Sequence, residues 1–338
     1  MRPPAPLAFL NPGWFTIPMG VTGLGLAWHQ AIPLLGEGAT AVALVLGGLG
    51  LGLTLLLVGL MALRWHRHPQ AWLDDLKHPV RHAFVATLPV ALLLLAALGS
   101  LLEWPRTWVT GLWWPGAVLQ LWATVWVTGR WLRLPTQQIT GAPSPWVYIT
   151  PVLLVAVVGN VVSALAGWGL GYRAWSVAQS AVGVALWPLC MALLLARRFA
   201  HGPLPDRLWP TWFITVAPPA VLGLAALRVG LDTQVGLAFW GVALFMVLWA
   251  GQHLRQVVEQ PFGVVFWALS FPLAAFSGLT LQLAGQVHTA FLPVLGLLAL
   301  AATSLTVLGL ALATWRGWRN GTLLAPEPVA SITPAPPQ

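Results

Sequence analysis

Five short apolar stretches share one arrangement, and it restricts the fold more than any other feature of the chain. Phe15 to Gly20 (FTIPMG), Phe84 to Val90 (FVATLPV), Tyr148 to Val152 (YITPV) and Phe213 to Ala220 (FITVAPPA) each run aromatic, threonine, proline. The fifth, Pro261 to Ser277 (PFGVVFWALSFPLAAFS), places Ser270 and Phe271 directly before Pro272. Successive prolines are roughly 55 to 70 residues apart, the length of two membrane crossings with their loops. A proline inside a helix removes a backbone hydrogen bond and clashes with the preceding turn, at about 3 kcal/mol. In hydrocarbon the freed carbonyl needs another donor. Hydroxyls are at hand: Thr16, Thr87, Thr150, Thr215 and Ser270 lie within three residues of Pro18, Pro89, Pro151, Pro218 and Pro272. Interrupted helices are tolerated at membrane depth where they face protein or a cavity. Five of them in alternate hairpin positions predict five helical hairpins with an inner ring around a central path. Candidates to line that path are Phe15, Thr16, Pro18, Phe84, Thr87, Tyr148, Thr150, Phe213, Thr215 and Ser270.

Composition fixes the solvent. At 58% hydrophobic, 7% charged and mean hydropathy +0.80, the chain departs far from a soluble domain, where about a quarter of residues are charged. It reads as an all-α integral membrane protein with ten crossings, near 13–34, 39–63, 82–102, 108–129, 146–168, 175–196, 210–229, 234–252, 262–285 and 291–315. These form one transmembrane domain over 1–320, followed by a proline- and alanine-rich tail, 321–338, expected to be disordered in the cytoplasm. The first crossing is too polar and glycine-rich for a cleaved signal peptide. With ten crossings, Arg2, Arg64, Arg67, Lys77, Arg81, Arg130, Arg133, Arg197, Arg198, Arg207, Arg255, Arg316 and Arg319 share the N-terminal side, against Arg106, Arg173 and Arg228 opposite. That bias puts both termini in the cytoplasm and the chain in the cell (inner) membrane. The net charge of +8 is therefore a topological signal, spread over short loops, and gives no nucleic-acid patch.

Several features take ordinary readings. The loop RWHRHPQAWLDDLKHPVRH, Arg64 to His82, carries four histidines and two aspartates, which raises a metal site, but its spacing fits a solvated headgroup anchor better. Tryptophans near predicted ends, Trp104, Trp108, Trp131, Trp146 and Trp209 among them, read as interfacial anchors. Pro115 is placed at the start of the fourth crossing, where proline does no harm. Asn160 and Ser163 either pair between helices or line the path. Cys190 is the single cysteine, so no internal disulfide forms.

The predicted helix centres lack carboxylates, lysines and arginines, which argues against coupling through an embedded acid. Nor do histidines pair within the helices as haem ligation requires. A membrane enzyme would need buried ligand or nucleophile clusters, and none is evident, so no cofactor or metal is expected. What is left is a path of apolar, small and hydroxyl-bearing side chains. Such donors share an anion's hydration shell, and an aromatic ring closes the path by excluding water. Phe271, beside the last proline, is the ring placed for that closure.

Four motifs in order carry a resemblance: Pro12-Gly13-Trp14-Phe15-x-Ile17-Pro18-x-Gly20; His78-Pro79-Val80 with Phe84; Tyr148 with Pro151, Asn160, Ser163 and Ala164; and Phe266-Trp267-x-x-Ser270-Phe271. Across nearly all ten crossings the chain resembles the tellurite-resistance/dicarboxylate transporter family, which includes bacterial TehA, fungal malate permeases and the slow anion channels of plant guard cells. The resemblance implies a quasi-fivefold bundle in which odd-numbered, proline-broken helices surround a pore, with even-numbered helices outside. It also implies a homotrimer with one pore per subunit, and a plugging phenylalanine that matches Phe271. Thr16 stands where close bacterial relatives have glycine, and Pro272 is shared with the plant channels in place of a bacterial glycine. The expected function is gated, passive conduction of small anions such as chloride or nitrate. The alternative is a carrier for C4-dicarboxylates or oxyanions such as tellurite or sulfite, made less favourable by the lack of a predicted pore arginine.

Overall fold

The computed structural model describes residues 6–131 and 145–325. Arg2, Arg133, Glu327 and residues 326–338 of the predicted tail lie outside them. The described residues form helices and turns, with no strand. Ten helices carry the architecture: α1 (Thr16–Gln30), α2 (Glu37–Arg67), α3 (Thr87–Leu101), α4 (Arg106–Gly129), α5 (Leu153–Gly167), α6 (Arg173–His201), α7 (Ala217–Arg228), α8 (Thr233–Gly251), α9 (Ser270–Ala284) and α10 (Phe291–Arg319). Counting 3-10 leads, seven helical spans among the described residues are long and apolar enough to cross a membrane; α1, α4 and α5 fall outside that set, α5 being apolar but only 15 residues long.

The prolines do not break these helices in mid-run, which corrects the reading from sequence. Each odd-numbered helix is preceded by a 3-10 segment: Pro12–Phe15, Arg81–Ala86, Pro145–Tyr148, Asp206–Val216 and Val264–Leu269. Pro18, Pro89, Pro218, Pro219 and Pro272 then fall in the first turn of the α-helix, and Pro151 just ahead of α5. A first-turn N–H has no intrahelical partner in any case, so the ring costs little there. What the motif marks is a change of helix type. The hydroxyls stabilise that change. Thr16 donates to Gly13 O (2.6 Å), Thr87 to Phe84 O (2.6 Å), Thr215 to Trp212 O (2.7 Å) and Ser270 to Trp267 O (2.6 Å), each reaching three residues back. Interior prolines occur instead in outer helices. Pro115 lies within α4, which begins at Arg106 after the Pro105 cap, and Pro188 lies within α6. The expected helix start at Pro115 is therefore displaced by about two turns.

Burial separates two classes of helix. Among the membrane-length spans, 72 to 89% of the residues are buried in those leading into α3, α7 and α9, against 17 to 28% in α2, α6, α8 and α10. In α5 every residue except Leu165 is buried. Helix α1 packs on α3, α3 on α5, α5 on α7, α7 on α9, and α9 on α1 again. Each even-numbered helix packs on the odd one before it, and α2, α4, α8 and α10 also reach the next. Small residues set the closeness of these contacts, as in membrane helix pairs generally. At Gly20 of α1 an added Cβ would lie 2.0 Å from the Ser270 Oγ of α9.

The 64–82 loop is built rather than merely solvated. Pro69–Lys77 forms a short helix, and Asp75 is buried between Arg64 (2.7 Å) and Arg81 (3.1 Å). Arg64 also donates to Ala8 O and Ala71 O, which ties the N-terminal segment to the end of α2. His78 Nδ1 accepts from the N–H groups of Val80 and Arg81, so this ring caps a turn. Among the described residues no cluster of His, Cys, Asp or Glu could hold a metal ion.

Candidate functional site

The odd-numbered helices border a common cavity of about 80 Å³. It is lined from α1 by Gly23, Leu26, Ala27 and Gln30, from α3 by Leu94, Ala97 and Leu101, and from α5 by Leu165. Helix α7 adds Val221, Leu224 and Arg228, and α9 adds Phe271, Ala274, Ala275, Gly278 and Gln282. One space thus touches all five. It has room for several waters, since one needs only about 10 to 15 Å³ of such volume.

Phe271 stands at one end of this space and the polar side chains at the other. It is the second residue of α9, whereas Gln282 lies eleven residues on, roughly 16 Å along the axis. The ring is 6% exposed and packs on α1, where an added Cβ at Gly23 would come 3.0 Å from its Cδ2. The Phe266-Trp267-x-x-Ser270-Phe271 motif explains how the ring is held. Trp267 Nε1 donates to Thr314 Oγ1 of α10 (2.9 Å), the Ser270 hydroxyl turns back to Trp267 O, and Gly20 leaves room for Ser270. Phe271 is thereby wedged between α1 and the cavity.

None of the ten residues read from sequence as path-lining borders the cavity; Phe271, read as the closing ring, does. Thr16, Thr87, Thr215 and Ser270 lie one turn or less from the helix starts, at 0 to 7% exposure, with their hydroxyls turned to backbone carbonyls. Thr87 also donates to Pro12 O (2.8 Å), joining the 3-10 leads of α1 and α3. The hydroxyl of Thr150 is buried with no hydrogen-bond partner among the described residues, and Pro18 is buried in the first turn of α1. Phe15 packs among Leu10, Trp14 and Trp267, and Phe84 lies against Gly13. Phe213 packs on Ala250, Val257 and Leu269, away from the cavity. Tyr148 meets His82 edge-on (5.7 Å), with the Arg130 guanidinium 5.8 Å from its ring.

Two open points from the sequence now resolve. Asn160 pairs between helices: its Nδ2 donates to Thr124 Oγ1 of α4 (2.7 Å), and its Oδ1 accepts from Gln179 of α6 (3.2 Å). Ser163 donates to Asn160 O. Neither lines the cavity.

The second point concerns charge. Arg228, counted from sequence as an external loop cation, is the last residue of α7 and lines the cavity mouth with Gln30 and Gln282. The cavity thus carries an arginine that the sequence reading counted only towards topology. No acid is among the lining residues. These three polar residues were missed because each lies in the last turn of a helix, where a polar side chain is ordinarily read as reaching bulk water. Their shared position at the C-terminal ends of odd-numbered helices was the available signal.

Comparison with known proteins places the chain in a family. Residues 10–315 match the family model described as SLAC1, voltage-dependent anion channel. The chain is 26% identical to the S-type anion channel SLAH2 of Arabidopsis thaliana over 156 residues, 46% of this chain but only 30% of that protein. It is 22% identical to the sulfite efflux pump SSU1 of Trichophyton rubrum over 341 residues, 90% of each. To the tellurite resistance protein TehA homolog of Haemophilus influenzae it is 26% identical over 272 residues, 79% of each. The match spans the described helices almost from end to end, and the chain belongs to the voltage-dependent anion channel family.

Proposed function

We propose that this chain conducts small anions passively along the axis of the α1, α3, α5, α7, α9 ring, with Phe271 closing the path. The observation that carries this reading is the cavity bordered by all five helices and ending at that ring. An anion shedding water needs donors in return, and the mouth offers a guanidinium and two amides with no lining carboxylate to repel it. The apolar middle then makes dehydration the barrier, and an aromatic ring across it excludes water.

In this reading α1, α4 and α5 cross together with the seven longer spans, giving ten crossings as five hairpins in a quasi-fivefold bundle. The largely exposed even-numbered helices face lipid and neighbouring copies in a homotrimer, one path per subunit. Both termini are cytoplasmic in the cell membrane, so the Phe271 side of the cavity faces inward and Arg228 outward. The chloride- and nitrate-like selectivity fits the relationship to proteins named as anion channels.

Reconstituted liposomes test the passive character. Nitrate and chloride should flow down their gradients at a rate that follows an imposed membrane potential and ignores a pH gradient. Flux that requires an opposing proton gradient would contradict it. A carrier of oxyanions is the second reading, favoured by Arg228 at the mouth and by the relative named a sulfite efflux pump. Saturable sulfite or malate uptake that excludes chloride would select it.

A further inference from the structure

The polar mouth of the cavity has more chemistry than a conducting path requires. Arg228 Nε donates to Leu165 O at the C-terminal end of α5 (3.1 Å), and this fixes the plane of the guanidinium. Among the described residues its terminal nitrogens have no hydrogen-bond or ion-pair partner. Gln30 from α1 and Gln282 from α9 border the same space, and among the described residues neither side-chain amide makes a hydrogen bond. Three helices thus bring a guanidinium, one terminal nitrogen of which packs beside Gly169, and two amides to the border of one cavity.

We propose that Arg228, with Gln30 and Gln282, forms a binding site for a small oxyanion, occupied before the anion meets Phe271. This deepens the proposed function and rests on it for its place in the path. A tethered guanidinium presents a planar fork whose two parallel N–H bonds match two oxygens of one anion, which a halide cannot offer. The amides supply donors to the remaining oxygen. Chloride passes the site as a point charge. Nitrate, the probe that matches the fork, is retained there.

The competing role for Arg228 is purely structural, as a cap on the α5 carbonyl. Two measurements on the full chain separate the roles. The first is thermal unfolding in detergent, in nitrate and in chloride at equal ionic strength. Wild type should gain stability specifically in nitrate, because a ligand bound only by the folded state raises its Tm. Arg228→Gln and Arg228→Lys should lose that increment. A cap alone predicts Tm values lowered equally in both salts, and an increment kept in Arg228→Gln overturns the proposal.

The second is bilayer permeability in a Phe271→Ala background. Arg228→Gln should lower the nitrate current several-fold. Arg228→Lys should keep the chloride current but lose the preference for nitrate. An unchanged nitrate-to-chloride ratio in both variants overturns the proposal. Silent bilayers together with an Arg228-dependent nitrate increment would support the site and contradict the conduction reading.

Discussion

Gly23 of α1 packs directly against Phe271 of α9, and in the proposed path that packing detail becomes a functional one. A methyl at position 23 would lie 3.0 Å from the Phe271 Cδ2, so the ring would have to give by a few tenths of an ångström. Gly23→Ala should therefore change the anion current of wild type yet add nothing in a Phe271→Ala background, since two residues in contact do not act independently. Additive effects in bilayer recordings would mean that Gly23 acts elsewhere. Sequence identified Phe271 through the motif before Pro272, but not its partner. A glycine in a membrane helix reads as a generic close contact, and its neighbour belongs to a helix more than 200 residues away.

Among the elements, the prolines illustrate what a sequence does and does not disclose. Their recurrence located all five odd-numbered helices and the hydroxyls beside them. Their consequence was misread, because a proline in an apolar run looks the same whether it interrupts a helix or opens one after a 3-10 lead. Only the backbone bonds of the lead distinguish the two. Likewise α5 joins α4 and α6 through Asn160, Thr124 and Gln179, all at 0 to 3% exposure. Breaking that network should cost about 1 to 3 kcal/mol and leave selectivity alone, as it does not border the cavity. Asn160→Ala should thus lower Tm in detergent while its nitrate-to-chloride ratio matches wild type; an altered ratio would return Asn160 to the path. The loop before α3 makes a sharper case. Arg64 and Asp75 are each 2% exposed at the side chain, so Asp75→Ala should strand a buried cation at a cost of about 3 to 5 kcal/mol. Loss of folded protein in detergent extracts is the expected result, and a variant as stable as wild type would show the carbonyl partners of Arg64 to be sufficient.

At the scale of the molecule, the class was legible because hydropathy alone requires a bilayer, and burial then sorts the helices that composition could not. Outer and inner helices are equally apolar in a membrane protein, so amphipathic periodicity is weak. The inner ring appears in sequence only through its prolines and small residues. The charged mouth was hidden for a related reason: a cation at a helix end counts towards topology, and nothing local says that four other helix ends surround it. The central claim is that this ring encloses an anion path shut by one aromatic side chain. The direct measurement is chloride and nitrate current across planar bilayers for wild type and Phe271→Ala. The account predicts a several-fold rise on removal of the ring, with anions carrying the current. A Phe271→Ala protein that is folded and inserted, yet passes no more anion current than wild type, would contradict it.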